Sequence, residues 1–257
     1  MMDLSGKTIL ITGAAGRIGS ATARLAVAAG ADVILSDIAG DRLNKLEQDL
    51  ISISTNKIFS VEADITSEEG IDHLLSQSCQ CVNAITSAVH SAYPTSQGWG
   101  ARFEELTARY LNQDLSMQLG SAILFSQRIL AHFKRCGGGD LVHVSSIQGV
   151  SAPKFDHYEG TDMTSPVEYS AIKAGVISIT RWLAKYYANQ GIRVNCVSPG
   201  GILDEQPVAF LERYRQSCAN IGMLSADQAA SAIIFLLSPQ SAAINGQNIV
   251  VDDGWSL

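Results

Sequence analysis

The sequence predicts an α/β fold: a doubly wound, mainly parallel sheet of about seven strands with helices on both faces. Three observations carry this. Apolar β-type runs alternate with helical patterns from one end of the chain to the other, as repeated βαβ units do. The first apolar run opens directly into a glycine-rich turn followed by an Ala-rich helical pattern. The chain has 257 residues, 46% hydrophobic and 17% charged, which is enough to bury one sizeable core, and no repeat or low-complexity linker divides it.

Taken in order, strands are expected near 7–12, 32–37, 57–61, 84–90, 140–145, 192–197 and 248–251. Helical patterns fall at about 17–29, 40–51, 67–78, a long one or a pair within 103–135, then 167–189, 207–219 and 225–238. The run Gly137-Gly138-Gly139 precedes a strand and reads as a tight helix-to-strand turn. The stretch 149–166, GVSAPKFDHYEGTDMTSP, follows neither period. A loop of that length inside a compact domain reads as a functional insertion.

Composition narrows the function classes. The net charge is −7 and the 18 Lys and Arg are scattered, which argues against a nucleic-acid surface or an anionic membrane. No apolar run approaches the roughly 18 residues of a spanning helix, and the N-terminus lacks the order of a signal peptide, so a cytoplasmic protein is expected. Five cysteines at irregular spacing read as reduced thiols. Cys79 and Cys81, with one residue between them, do not have zinc-knuckle spacing, and no metal site is expected.

The turn Thr12-Gly-Ala-Ala-Gly16-Arg-Ile-Gly19 has the context that a lone glycine motif lacks, with a strand before it and a helix after it. Gly13, Gly16 and Gly19, with Arg17 and Ile18 between them, let the backbone approach a pyrophosphate at the positive end of the helix. The fold is therefore Rossmann-like, and the expected cofactor is a dinucleotide. Asp37 ends the second strand, 18 residues after Gly19. A carboxylate there accepts both adenosine ribose hydroxyls and repels a 2′-phosphate, which favours NAD. The bland alternative is that Asp37 caps the helix that follows. Arg17 offers a guanidinium to a 2′-phosphate, so NADP stays a possible cofactor. Asp64, in VEADIT with Ile65 beside it, is a candidate contact for the adenine or a helix N-terminal residue.

Tyr169-Ser-Ala-Ile-Lys173 places a phenol and an ammonium on one helix face. A free Tyr has a pKa of about 10, so acid/base work near neutrality needs about 4 kcal/mol of differential stabilisation of the phenolate. A neighbouring Lys⁺ and an oxidised nicotinamide both act in that direction. Ser146, at the end of LVHVSS, is placed to hold a substrate oxygen.

The glycine turn, SSIQG, YSAIK, IRVNCVSPGG and the closing NGQNIVVDDG together resemble the short-chain dehydrogenase/reductase family over the whole chain. The resemblance implies one catalytic domain over 1–257, with Tyr169 as general acid/base and Ser146 orienting the substrate. Lys173 would bind the nicotinamide ribose and lower the Tyr169 pKa. Pro199 and Gly200 would begin the loop beside the nicotinamide, with the Ile202 backbone at its carboxamide. The family's Asn-Asn-Ala-Gly after the fourth strand is replaced by His90-Ser-Ala-Tyr93, and the relay Asn by Gln118. Asp204 stands where the family often has Thr. Tyr158 is a rival tyrosine, but Asp162 stands four residues later where Lys would be needed. His90 and His143 read as satisfied or cofactor-proximal imidazoles. Trp99 reads as a wall of the substrate mouth or as a loop anchor.

AYPTSQGWGARFEEL, APKFDHYEGTDMTSPVEYSAIK and SPGGILDEQPVAF resemble a bacterial subgroup associated with flagellin modification and nonulosonic-acid (legionaminic-type) sugar biosynthesis. That implies a polar carbohydrate substrate: a sugar, sugar phosphate or nucleotide sugar. Lys154, Asp156, His157, Tyr158, Glu159 and Asp162 of the insertion are candidate contacts. The family also implies a homodimer or homotetramer through the helices near 103–135 and 167–189. The rival readings are an NADPH-dependent reductase of another carbonyl class and a dinucleotide-binding sensor or scaffold without turnover.

Overall fold

The computed structural model describes residues 2–257. Seven strands, β1 (Thr8–Thr12), β2 (Asp32–Asp37), β3 (Ile58–Glu62), β4 (Ser87–His90), β5 (Gly139–Val144), β6 (Ile192–Pro199) and β7 (Asn248–Val251), form one sheet in the order β3-β2-β1-β4-β5-β6-β7. Every neighbouring pair is parallel. The helices between them are α1 (Arg17–Ala28), α2 (Gly40–Ile51), α3 (Glu68–Cys81), α4 (Ala108–Asp114), α5 (Ser121–Cys136), α6 (Val167–Tyr186), α7 (Val208–Gln216) and α8 (Ala226–Leu237).

The period of two along β1 assigns its residues to opposite layers. Ile9 and Ile11 join the cluster built with Ala23 and Ala26 of α1 and with Ile233 and Leu237 of α8. Leu10 joins the other cluster, with Ile71 of α3 and Phe125, Ile129 and Phe133 of α5. Both sheet faces are therefore covered, as an all-parallel sheet requires.

Two local features bear on the site. Between α4 and α5 the chain runs through a π-helical turn, Leu115–Gly120, so of the long helix or pair expected within 103–135 the structure has a pair joined by this turn. The expected tight turn is made by Gly137, whose φ of +87° caps α5 in the left-handed region. Among the described residues no helix is long and apolar enough to cross a membrane.

Candidate active site

The strand order reverses between β1 and β4, and the crevice outside the carboxyl ends of these strands is where doubly wound folds bind ligands. A cleft of about 300 Å³ opens there, lined among others by Gly13, Gly16, Asp37, Asp64 and Ile65. The glycines are required by contact. A Cβ on Gly19 would lie 2.1 Å from the Gly13 carbonyl oxygen, and one on Gly13 would lie 2.7 Å from the Ala92 backbone. The segment after β4 that carries Ser91 and Ala92 is pinned against this turn by the Ser91 hydroxyl, which donates to the Thr12 carbonyl at 2.6 Å. A backbone cradle at the start of α1, too close-walled for side chains, fits a dinucleotide pyrophosphate.

Asp37 does two jobs. One carboxylate oxygen accepts the Ala15 N–H at 2.9 Å and the other accepts the Ala39 N–H at 3.1 Å. It therefore fixes the glycine turn and the entry to α2 while it lines the cleft. Asp64 also lines the cleft, with one oxygen committed to the Thr66 N–H and hydroxyl. Arg17 forms an ion pair with Asp204 of the loop after β6, so its guanidinium is engaged. Arg42, five residues beyond Asp37 in α2, lines the same cleft and was not singled out from sequence. Its only signal was a cation in the first turn after the acid.

At the other end of the crevice, α6 carries Tyr169 and Lys173 one turn apart. Lys173 is 7% exposed; its Nζ donates to the Val144 carbonyl at 3.2 Å and stands 5.5 Å from the Tyr169 ring centre. Burial takes its pKa from 10.5 down to about 8. Burial raises the Tyr169 phenol, and the Ser146 hydroxyl, facing it, pulls the other way by hydrogen bonding. Ser145, next to it, donates to the Lys173 carbonyl at 2.7 Å and ties the end of β5 to α6. Ser146, Tyr169 and Lys173 are thus brought together. A carbon bearing a hydroxyl beside them would meet a hydrogen-bonding hydroxyl, a phenol able to exchange its proton, and a cation that favours the phenolate.

The other candidates divide. Gly200 is held by its N–H to the Val251 carbonyl at 2.8 Å, and Ile202 bridges to Leu224, so the loop after Pro199 is fixed at both points. Gln118 lies in the π-helical turn, 5% exposed, with both amide atoms lacking a partner. His90 is 5% exposed; Thr12 Oγ1 lies 3.1 Å from its ring and Phe125 stacks on it at 5.2 Å, so its side chain belongs to the core and not to the cleft lining. His143 is fully buried between Ser126 and Thr180, each 2.8 Å from a ring nitrogen, and its pKa falls to about 4 through desolvation.

Within 149–166 the structure corrects the list of polar contacts. His157 is 2% exposed, 2.9 Å from Ser217, and packed on Phe210, Tyr214 and Trp255. Lys154 lies over the Trp255 ring at 4.9 Å. These two residues anchor the insertion to α7 and the C-terminus. Tyr158, Glu159 and Asp162 instead line an open groove of about 810 Å³ facing 101–104. Two aromatics close the site on its remaining side: Tyr93 and Trp99 stand 5.7 and 5.9 Å from Tyr169. Tyr93 was legible only as a departure from a glycine.

This constellation on this sheet defines a dinucleotide-dependent oxidoreductase, and the chain belongs to the short-chain dehydrogenase/reductase family. The family model described as enoyl-(acyl carrier protein) reductase matches residues 13–256. The chain is 40% identical to the post-translational flagellin modification protein A of Campylobacter coli over 255 residues, 99% of this chain and 100% of that one. It is 30% identical to the 7alpha-hydroxysteroid dehydrogenase of Bacteroides fragilis, over 100% of this chain and 97% of that one. Among solved structures it resembles a short-chain dehydrogenase from Leptospira borgpetersenii with bound NAD⁺, with a TM-score of 0.85, 29% identity, and coverage of 99% of this chain and 94% of that one.

Proposed function

We propose that this enzyme uses NAD and moves hydride between the nicotinamide and a hydroxyl-bearing carbon of a polar carbohydrate: a sugar, sugar phosphate or nucleotide sugar. The observation that carries the chemistry is Lys173 and Tyr169 sharing one face of α6 with Ser146 opposite the phenol. The bound dinucleotide would supply the hydride acceptor or donor. Gly13, Gly16 and Gly19 would cradle its pyrophosphate, Asp37 its adenosine ribose and Lys173 its nicotinamide ribose. Ser146 would hold the substrate oxygen while Tyr169 takes or returns the hydroxyl proton. The bound NAD⁺ of the Leptospira relative supports the cofactor, and the flagellin-modification relative supports the carbohydrate.

The exposed apolar residues Ile123 of α5 and Val167, Trp182 and Tyr186 of α6 support a homodimer or homotetramer through these helices. Five free thiols fit a cytoplasmic location. Arg42 beside Asp37 favours a second reading, in which NADPH is accepted as well.

The test is a calorimetric titration with NADH and NADPH, followed by amino-sugar phosphates and nucleotide sugars in the same cell. Tighter NADH binding, with a sugar that binds only after cofactor, is expected. Preference for NADPH would transfer the selecting role from Asp37 to the arginines, and binding of neither would overturn the proposal.

A further inference from the structure

Trp99 sits in a glycine-flanked loop, and such an aromatic is ordinarily explained as the loop's own anchor. Here the anchoring is done by other groups. Asp114, fully buried, accepts the Ser96 N–H at 2.7 Å and the Ser96 hydroxyl at 2.8 Å. Thr164 of the insertion donates to the Gly100 carbonyl at 2.7 Å. Gly98 lies so close to Tyr110 that a Cβ would be 2.2 Å from its ring. With both flanks fixed in this way, the indole is left to be presented.

What it is presented to is Tyr169. Trp99, Tyr93 and Tyr169 stand at 5.5, 5.7 and 5.9 Å from one another, with interplanar angles of 90°, 77° and 85°. Three mutually perpendicular rings form the inside of a corner. Lys173 Nζ lies over the other two rings, 5.4 Å from Tyr93 and 5.5 Å from Tyr169, which leaves Trp99 as the ring of the corner without a cation over it. Tyr93 also lines the cofactor cleft, so the corner stands where cleft and phenol meet.

We infer that Trp99, held upright by Tyr93, is a platform that selects a saturated ring for the reacting carbon, making this pair specificity-determining for the site. The inference rests on the oxidoreductase reading of that site. A saturated ring lays a flat set of C–H groups against an aromatic face and arrives with its rotors already fixed. An open chain of equal carbon count must immobilise several on binding.

The experiment compares two C7 ketones, 4-methylcyclohexanone and 2-heptanone, titrated into the NADH-loaded protein by calorimetry. The expected result is at least tenfold tighter binding of the ring ketone to the unaltered protein. Trp99→Ala should reduce that preference to threefold or less, and Tyr93→Ala should reduce it in the same direction. Trp99→Phe and Tyr93→Phe, which keep a ring in each place, should retain most of it. Absence of a preference in the unaltered protein, or its persistence in Trp99→Ala, overturns the platform. Tyr169→Phe separates the two claims: it should keep the ring preference in binding while losing turnover, and full turnover in that variant would overturn the acid/base role given to Tyr169 while leaving the platform standing.

Discussion

The ammonium of Lys173 is joined to the carbonyl of Val144 at 3.2 Å, so the last residue of β5 holds the cation that faces Tyr169. One hydrogen bond is poor compensation for a buried charge. The lowered pKa of about 8 expresses this, and the sign follows. Between about pH 8 and 10.5 the unfolded chain binds more protons at this lysine than the folded one, so its contribution to stability rises with pH through that window. Lys173→Met is expected to raise the melting temperature at neutral pH by several degrees, on the order of 2–3 kcal/mol, while cofactor-dependent turnover is lost. Calorimetric melting with a turnover assay reads both, and a variant less stable at pH 7 would contradict the account.

Tyr169→Phe keeps the ring that packs on Tyr93 and Trp99 and removes only the ionisable proton. Turnover should fall by about 10²–10⁴-fold, the usual worth of a positioned acid/base, with NADH affinity unchanged within threefold. Stopped-flow reduction of NAD and an equilibrium titration measure the two quantities. Because burial, with Tyr158 acting in the same direction, raises this phenol against the opposing hydrogen bond of Ser146, alcohol oxidation should speed up as pH rises toward the alkaline side.

Gly19→Ala places a methyl carbon 2.1 Å from the Gly13 carbonyl oxygen, a backbone atom that cannot rotate away. The turn must open, and dinucleotide affinity should drop at least a hundredfold. Gly6→Ala is the contrast: its φ is +79° but nothing lies within 4 Å of the added carbon, so it should cost about 1 kcal/mol of stability and leave binding alone.

Asp204 holds Arg17 by an ion pair across the loop after β6. Asp204→Ala releases the guanidinium, and NADPH binding should tighten about three- to tenfold relative to NADH. The pair is largely exposed, so stability should change little. Titration of both cofactors into the variant tests this; an unchanged ratio would mean that Arg17 has no access to the 2′-phosphate.

His143 is held neutral by burial, with a pKa of about 4 against an ordinary 6.5. As pH falls from 6.5 to 4 the unfolded chain takes up a proton that the folded chain refuses, so stability declines through that window by up to about 3 kcal/mol. His143→Leu should flatten this slope. The neutral ring donates to one of the two hydroxyls, Ser126 and Thr180, and accepts from the other, and in the variant both hydroxyls can donate to helix carbonyls, those of Ala122 and Val176, so neither is left unsatisfied. Denaturant midpoints across pH 4 to 7 provide the measurement.

The parts of the fold written in local pattern were legible. The alternation that splits Ile9 and Ile11 from Leu10, and the glycine at the end of α5, follow from periodicity and from backbone sterics. The spacing of Tyr169 and Lys173 is equally local. What escaped depends on packing between distant segments. The π-helical turn at Leu115–Gly120 leaves the apolar pattern of 108–136 almost unbroken, so sequence showed one long helix or two without the break between them. His157 read as a polar loop residue because its three aromatic neighbours come from α7 and the C-terminus. Trp99 read as an anchor or a wall with nothing to choose between them until Asp114 and Thr164 took over the anchoring.

The π-helical turn has a consequence for how this chain tolerates change. A wider turn holds one residue more than an α-helical turn, so it acts as a one-residue phase shift of roughly 100° between the helices it joins. Upstream, Asp114 is aimed at the Ser96 loop; downstream, Phe125, Ile129 and Phe133 are aimed at the sheet. An unbroken α-helix cannot hold both bearings. Deleting any one residue of 115–120 would swing the Asp114 side out of register while leaving the layer beneath α5 intact, so folding and loop placement can be lost separately.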